Sequence, residues 1–277
     1  MTRWTPDAVR AAAAEWVWVP PGAPEVDTDE YHLVGYPESF EHPTQVARCR
    51  SARPADGLVG EVAGIARGWG RTTLGWWVGD GTTPAGLGEA LARRGAEVVE
   101  TVDVLAFDLA GGLPDAVRRP APAGVDVRLV DDAAALRAAN DVSVQVWDAL
   151  VPEDDDAWLA AELADLGRPI RERGGFSVLA TVDGVPAATG GCTLADDVAR
   201  LWGAATVPAL RGRGVYTAVL LHRMAVALEH GATLALVKGR VGTSAPILRG
   251  VGFTAYGQEH LYRQPLGPLG PGAPATV

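Results

Sequence analysis

A short glycine- and arginine-rich turn at residues 211–214 (Arg-Gly-Arg-Gly) carries the residue types in this chain that are best suited to chemistry. It follows an apolar, strand-like run at 201–207 and precedes a long apolar run that ends at Gly231. Where a strand turns through glycines into a helix, the first N–H groups of the helix lack partners and lie at the positive end of its dipole. Such a turn binds phosphate well, so the sequence predicts an anion site here.

The spacing distinguishes this turn from two familiar phosphate-binding loops. A Walker loop requires Gly-x-x-x-x-Gly-Lys-Ser/Thr, and a dinucleotide-binding turn requires Gly-x-Gly-x-x-Gly with an acidic residue about 20 positions further on. From Arg211 the chain reads Arg-x-x-Gly, and no third glycine follows at the required position. The sequence therefore predicts neither of these two loops.

The turn and the segments after it resemble the acyl-CoA-binding core of the GNAT superfamily of N-acetyltransferases. The loop of that family reads Gln/Arg-x-x-Gly-x-Gly/Ala between a strand and a helix. Here the next segments are a predicted strand at 233–238, Thr-Ser-Ala-Pro-Ile-Leu-Arg at 243–249 and Gly-Val-Gly-Phe at 250–253, which is similar to the Gly-Phe ending of the family. The resemblance covers residues 125–266. It implies an α+β (mixed α/β) fold, with a mixed sheet flanked by helices, and transfer of an acetyl or short acyl group from CoA to an amine.

The resemblance also implies roles for individual residues, with acetyl-CoA as co-substrate and no metal. Backbone N–H groups of the turn would hold the diphosphate. The edge of the preceding strand would hydrogen-bond the pantetheine amides and polarise the thioester carbonyl, and two apolar side chains would line the pantetheine. The residues implied are Arg211, Gly212, Arg213, Gly214, Val215 and Tyr216 for the diphosphate, Ala204 and Thr206 for the strand edge, and Leu248 and Phe253 for the pantetheine.

Three positions depart from the pattern of the family. Tyr216 stands where the loop usually ends in Gly or Ala, Arg200 where the strand often carries a glutamate base, and Leu248 where a tyrosine often protonates the thiolate. Three alternatives follow: other groups transfer the proton, the acceptor amine arrives already neutral, or the domain binds acyl-CoA without efficient transfer. The other groups considered are the catalytic candidates Tyr256, His260 and Asp196, together with Glu153.

Aromatic and charged side chains near the predicted cleft are expected to line an acceptor pocket. Trp202 lies on the same face of its strand as Arg200, because strand side chains alternate. The acidic run that starts at Glu153, together with the acidic net charge, favours a cationic acceptor. The residues expected in the pocket are Trp147, Glu153, Arg200 and Trp202.

The first half of the chain resembles a degenerate copy of the second. Gly-Thr-Thr-Pro at 81–84 is similar to Gly-Thr-Ser-Ala-Pro at 242–246. The segment at 52–57, which would correspond to the phosphate loop, lacks Arg-x-x-Gly-x-Gly and carries Asp56 where an anion would bind. We therefore expect a partial GNAT-like domain that binds no CoA; an unrelated α+β domain is the alternative.

Composition places the boundaries between these parts. The segment at 111–124 is rich in Pro and Gly, as domain linkers are. The last residues repeat Pro, Leu and Gly, a composition typical of disorder. The predicted organisation is a partial GNAT-like domain at 1–110, a linker at 111–124, an acetyltransferase domain at 125–266 and a disordered tail at 267–277.

Composition and charge also exclude several functions. The 277 residues, 48% of them hydrophobic, are enough for one large or two modest domains. A net charge of −10 argues against nucleic acid as a partner. The two cysteines have no metal-site spacing, and no apolar run approaches the ~18 residues of a membrane span.

We therefore expect a cytoplasmic protein, monomer or homodimer, that acts on a small-molecule amine and binds neither nucleic acid nor membrane. Two other functions stay open at this point. One is a non-catalytic acyl-CoA-binding or regulatory protein, which the missing proton-transfer groups at positions 200 and 248 favour. The other is a protein-amine acetyltransferase, which would need an open groove for a peptide.

Overall fold

The computed structural model describes residues 4–118, 122–147 and 155–267. Its helices and strands follow in chain order. They are α1 (Pro6–Ala14), β1 (Glu25–Asp27), β2 (Tyr31–Gly35), β3 (Thr44–Cys49), α2 (Ala55–Gly68), β4 (Thr73–Gly79), α3 (Leu87–Arg93), β5 (Glu97–Asp108), β6 (Val125–Leu129), α4 (Ala133–Trp147), α5 (Asp155–Leu166), α6 (Ile170–Arg173), β7 (Gly175–Val182), β8 (Val185–Ala195), β9 (Val198–Thr206), α7 (Val215–Glu229), β10 (Leu234–Arg240), α8 (Ser244–Val251) and β11 (Thr254–Pro265).

The chain divides into two compact units. The C-terminal unit consists of Met1–Val9 and Leu105–Ala255, and the N-terminal unit consists of Arg10–Val104 and Tyr256–Val277. Each unit thus combines a large segment with a short segment from the opposite end of the chain, a division that composition does not indicate. The middle of the predicted linker and nearly all of the predicted tail lie outside the described residues.

The C-terminal unit is built on a mixed sheet with the strand order β10-β9-β8-β7-β6. Neighbouring strands from β6 to β9 are antiparallel, whereas β10 is parallel to β9. A parallel neighbour requires a crossover connection, which α7 provides. The turn between β7 and β8 is Asp183-Gly184, with φ angles of 52° and 82°. Two left-handed residues give a hairpin turn whose twist matches that of the flanking strands.

Helices α7 and α4 pack on opposite faces of this sheet. Leu220 of α7 is buried in one cluster with Val178 of β7, and Ala135 of α4 is buried in another with Leu179. Because successive side chains of a strand point to opposite faces, the two clusters lie on either side of the sheet. Burial of a large apolar side chain such as Leu220 contributes about 2 kcal/mol, so these contacts hold α7 to the strands.

The N-terminal unit contains a second strand–helix–strand crossover. Its strands follow the order β1-β2-β3-β4-β11-β5, and β3 is parallel to β4 with α2 between them in the chain. Leu58 and Val62 of α2 are buried with Trp76 of β4. The indole of Trp76 donates a hydrogen bond to Gln264 of β11 at 3.1 Å.

The predicted mixed α/β fold, with a mixed sheet and flanking helices, is therefore confirmed. Within the described part of the chain, every helix is too short or too polar to cross a bilayer.

Candidate functional site

The turn between β9 and α7 has the backbone geometry that its glycines indicate. A 3-10 turn at Pro208–Leu210 follows β9, and α7 begins at Val215. Gly212 and Gly214 have φ angles of 74° and 79°, a left-handed conformation that glycine adopts without steric cost. A Cβ at Gly214 would lie 2.9 Å from Cγ of Pro122. Any other residue at this position would therefore strain the backbone and displace its neighbour.

The start of α7 is accessible to a ligand. Residues 211–214 are exposed, Gly214 is the N-cap residue, and no side chain caps the helix. The first N–H groups of the helix keep their hydrogen-bonding capacity, and the helix dipole adds positive potential. Arg211 donates from Nε to the carbonyl oxygen of Thr206 at 3.1 Å, which holds its guanidinium beside the end of β9. These features fit a diphosphate.

Strands β9 and β10 separate beside this turn. Their register pairs run from Leu234 with Val198 to Leu236 with Arg200. Beyond Arg200, β9 continues to Thr206 and β10 continues to Arg240 with no further register pair between them in the described structure. The edge of β9 that faces this opening therefore keeps backbone groups for a ligand that extends away from the helix.

A β-bulge shapes the same part of β9. The register with β8 shifts between Thr189 and Gly191, where β9 carries one extra residue. Gly203 lies in this bulge with a φ angle of 61°. Bulges bend a strand and re-aim its groups, here those around Ala204. The sequence interpretation did not include the bulge, although a glycine inside a predicted strand is a signal for one.

A buried arginine supports the bulge from the α7 side of the sheet. Arg223 is 1% exposed, and its Nη1 donates to the carbonyl oxygens of Gly191 at 3.0 Å and Trp202 at 3.2 Å. Gly190 leaves room for it, because a Cβ there would lie 3.0 Å from the guanidinium carbon. Burial lowers the pKa of Arg223 from its usual value. Sequence reasoning missed this contact; an arginine within the apolar run of α7 was the available signal.

Tyr216, in the first turn of α7, directs its ring toward the core of the C-terminal unit. Its ring is partly buried against the core of the C-terminal unit. Burial raises the pKa of the phenol, and the nearby charge of Arg223 partly offsets that rise. The unusual residue at the end of the loop therefore packs toward the sheet, next to Arg223.

The residues expected to line the pantetheine belong to the core. Leu248 is fully buried and Phe253 is 4% exposed. The ring of Phe253 lies 5.7 Å from that of Phe107, centroid to centroid. Ala204 and Thr206 are partly buried at the edge of β9, and the hydroxyl of Thr206 has no hydrogen-bond partner among the described residues. The contacts of these four residues with CoA stay predictions.

The structure separates the two tryptophans expected in the acceptor pocket. Trp202 lines a pocket of about 140 Å³ on the α4 side of the sheet. Trp147 instead lies under Arg240, whose guanidinium carbon is 5.5 Å from the ring centroid. Arg200 is partly buried on the same face of β9 as Trp202. Glu153 lies outside the described residues.

Of the three catalytic candidates, one belongs to the C-terminal unit and two belong to the N-terminal unit. Asp196 lies in the turn that precedes β9, and the strand from Val198 to Ala204 spans roughly 20 Å, because a strand advances about 3.3 Å per residue. Tyr256 and His260 belong to β11 of the N-terminal unit, where His260 Nδ1 lies 3.0 Å from the hydroxyl of Thr101. The proposed roles of all three in proton transfer stay predictions.

The described residues form no candidate metal site. Among residues 4–118, 122–147 and 155–267, no group of three or more His, Cys, Asp or Glu side chains is placed to hold a metal ion.

Comparison with known proteins points to the same region of the chain as the geometry, the turn between β9 and α7. Residues 143–243 match the sequence profile of the Acetyltransferase (GNAT) family, and this range contains β9, the turn, α7 and β10. A search of curated proteins finds none that matches the sequence.

Solved structures resemble nearly the whole chain. A GCN5-related N-acetyltransferase from Kribbella flavida has a TM-score of 0.69 and 23% identity, over 95% of this chain and 97% of that chain. A tandem GNAT protein from the clavulanic acid biosynthesis pathway has a TM-score of 0.60 and 19% identity, over 87% and 79%. A functionally unknown conserved protein from Staphylococcus epidermidis has a TM-score of 0.58 and 10% identity, over 91% and 98%.

The family match at residues 143–243 thus falls on the part of the chain where the motif lies. The chain as a whole has the fold of GNAT N-acetyltransferases, among them a protein with two such domains in tandem. The matched family is one of acetyltransferases.

Proposed function

We propose that this protein transfers an acetyl group from acetyl-CoA to a primary amine on a small molecule. The observation that carries the proposal is the uncapped start of α7, entered through Gly212 and Gly214, beside the opening between β9 and β10. The helix start is suited to a diphosphate and the free strand edge is suited to an amide-bearing arm. Acetyl-CoA has both parts.

The chain contributes chiefly by binding and orientation. N–H groups of Val215 and Tyr216 would bind the diphosphate, and the backbone around Ala204 would hold the arm and polarise the carbonyl. Bound acetyl-CoA supplies the thioester. In the reaction a C–N bond forms at the carbonyl carbon and the C–S bond breaks. The amine nitrogen loses one proton and the sulfur gains one, which gives an amide and CoA. Holding the two reactants together supplies much of the rate.

A non-catalytic acyl-CoA-binding protein is the second candidate function. Arg200 and Leu248 stand where members of the family often carry a base and an acid. Leu248 is fully buried in the core, so its position offers no proton donor at the opening. The absence of a base and an acid at these two positions is the observation that favours the second candidate.

A thiol-release assay with acetyl-CoA and a library of small amines tests the proposal. Cys49 and Cys192 are both buried, and burial raises their pKa values to about 11 and about 12, so the protein contributes little background thiol. We expect amine-dependent release of CoA in the wild type and none with Gly214→Asp. Clear CoA binding with a silent library would favour the non-catalytic candidate, and release only with lysine peptides would favour a protein substrate.

A further inference from the structure

We propose that the pocket beside Trp202 binds a single aromatic ring, so that the acceptor is an amine carried on such a ring. This substrate class rests on the proposed acyl transfer, which it makes more specific. The pocket lies between α4, α5 and the bulged parts of β8 and β9.

Two tryptophans are among the residues that line this pocket, Trp158 of α5 and Trp202 of β9. The Trp202 ring is 47% exposed, yet it is held in place, because its Nε1 donates to the hydroxyl of Thr193 at 3.0 Å. It also lies directly on Gly191, where a Cβ would collide with the indole. An exposed indole fixed at both its edge and its face presents a ready surface for stacking.

The size of the pocket sets the size of the group. Its volume is about 140 Å³. A buried apolar cavity of ~150 Å³ is known to take up benzene. A single ring is therefore of suitable size for this pocket, which is partly open to solvent.

The chemistry of the lining matches a ring better than a polycation. All lining side chains of the described structure are uncharged, and the polar ones are Asn140, Ser143, Ser177 and Thr189. Two of their hydroxyls are already used, since Ser143 donates to the carbonyl oxygen of Ala139 and Thr189 to that of Val178. The sequence favoured a cationic acceptor; the lining favours an apolar planar group with a few hydrogen-bonding positions at its rim.

The position of the pocket links it to the acyl site. Trp202 and Gly203 line the pocket and also belong to the bulged part of β9. A ring against Trp202 would direct a short aminomethyl arm along the strand toward Ala204. Arg223 fixes this arrangement from the other face of the sheet through the Trp202 carbonyl.

Calorimetric titration of three amines tests the ring pocket without any need for turnover. Benzylamine, cyclohexylmethylamine and spermidine are titrated into the free protein and into the protein saturated with CoA. We expect benzylamine to bind about tenfold more tightly than cyclohexylmethylamine, which has the same number of carbons and the same arm but a puckered ring without a π-face. Equal affinities for these two, or tighter binding of spermidine, would overturn the proposal.

Three variants locate the binding. Trp202→Ala removes one of the two indoles, and Gly191→Ala keeps both indoles but displaces Trp202; each should weaken benzylamine binding about tenfold. Trp18→Ala is the matched control, because Trp18 is similarly exposed at 52% but belongs to the N-terminal unit. It should leave the affinity unchanged. An equal loss in all three variants would contradict the pocket.

A CoA titration of the same samples separates this inference from the proposed function. CoA binding without any preference for benzylamine would overturn the ring pocket and leave acyl transfer standing. A preference for benzylamine without CoA binding would support the ring pocket and overturn the proposed transferase.

Discussion

Two strand–helix–strand crossovers in this chain begin in different ways. In the C-terminal unit, β9 enters α7 through Gly212 and Gly214 in left-handed conformations, with no side chain capping the helix. In the N-terminal unit, β3 enters α2 through Pro54, whose φ angle is −58°, and this helix also has no side-chain cap. The first crossover leaves its helix start accessible. The second is surrounded by the chain's own ion pairs.

The ion pairs involve residues next to the start of α2 and in its first turn. Arg53 pairs with Glu61 at 2.6 Å and with Glu30 at 2.8 Å, while Asp56 in the first turn of α2 pairs with Arg93 at 3.0 Å. Carboxylates already satisfy the positive potential at this helix start. From this comparison we expect that the residues at the helix entrance, and not the crossover alone, decide whether an anion binds. That the first half binds no CoA stays a prediction. Four experiments test the comparison between the two helix starts.

Placing one carboxylate in each entrance should have the largest effect. Gly214→Asp forces a side chain into a left-handed position against Pro122 and puts negative charge at the diphosphate site. We expect CoA affinity to fall about hundredfold or more by calorimetry. Gly57→Asp in α2 is the matched control, because Gly57 is exposed with open space around its Cα. A similar loss in the control would remove the distinction between the two entrances.

Removing one arginine from each unit compares a buried cation with an exposed one. Arg223→Met leaves the carbonyls of Gly191 and Trp202 without their donor. We expect the free energy of unfolding to fall by about 2 kcal/mol in urea denaturation. Arg53→Met, at an exposed site, should change it little. An Arg223→Met protein as stable as the wild type would show that the guanidinium does not hold the bulge.

Arginines at the two entrances should differ in their effect on CoA. Arg211 lies beside the end of β9 with an exposed guanidinium, so Arg211→Ala should weaken CoA binding about tenfold, the effect of one hydrogen bond to a charged group. Arg53→Ala should leave the affinity for CoA unchanged, because Arg53 is already ion-paired with Glu30 and Glu61. Calorimetry with CoA at low salt measures both, and an effect of Arg53 would contradict the comparison.

Lowering the pH should destabilise the protein slightly by weakening the ion pairs at the start of α2. This is the smallest of the four expected effects. Hydrogen bonds from Arg53 and then from Tyr31 lower the pKa of Glu61. A carboxyl whose pKa is lowered by folding stabilises the protein fully above its unfolded pKa of about 4.3, and this contribution is lost as pH falls. The urea midpoint should therefore drop between pH 6 and pH 3. The drop should be smaller in Arg53→Gln; an equal drop would assign it to other carboxyls.

Local signals account for what the sequence predicts well. The turn at residues 211–214 combines two glycines with flanking apolar runs, so its strand, loop and helix can be assigned without knowledge of the rest of the chain. The hairpin at Asp183 and Gly184 is a second example, because Asp-Gly between two apolar runs is by itself a hairpin signal. Both turns depend only on residues that are neighbours in the chain. The sequence alone is therefore enough to predict them.

Contacts between distant segments account for what the sequence does not predict. The bulge depends on the register of β9 against β8, and the role of Arg223 depends on both strands. Trp147 and Trp202 look alike in the sequence, yet one packs under Arg240 and the other lines the pocket. The pairing of β11 with β4, which puts the last strand into the N-terminal unit, leaves no local trace either.

A crystal structure with bound CoA tests the entrance of α7 most directly. The diphosphate oxygens should lie within about 3.2 Å of the backbone nitrogens of Gly214, Val215 and Tyr216, and the pantetheine should follow the free edge of β9. A diphosphate bound beside Pro54 at the start of α2, or one that touches none of these nitrogens, would contradict the assignment of the site.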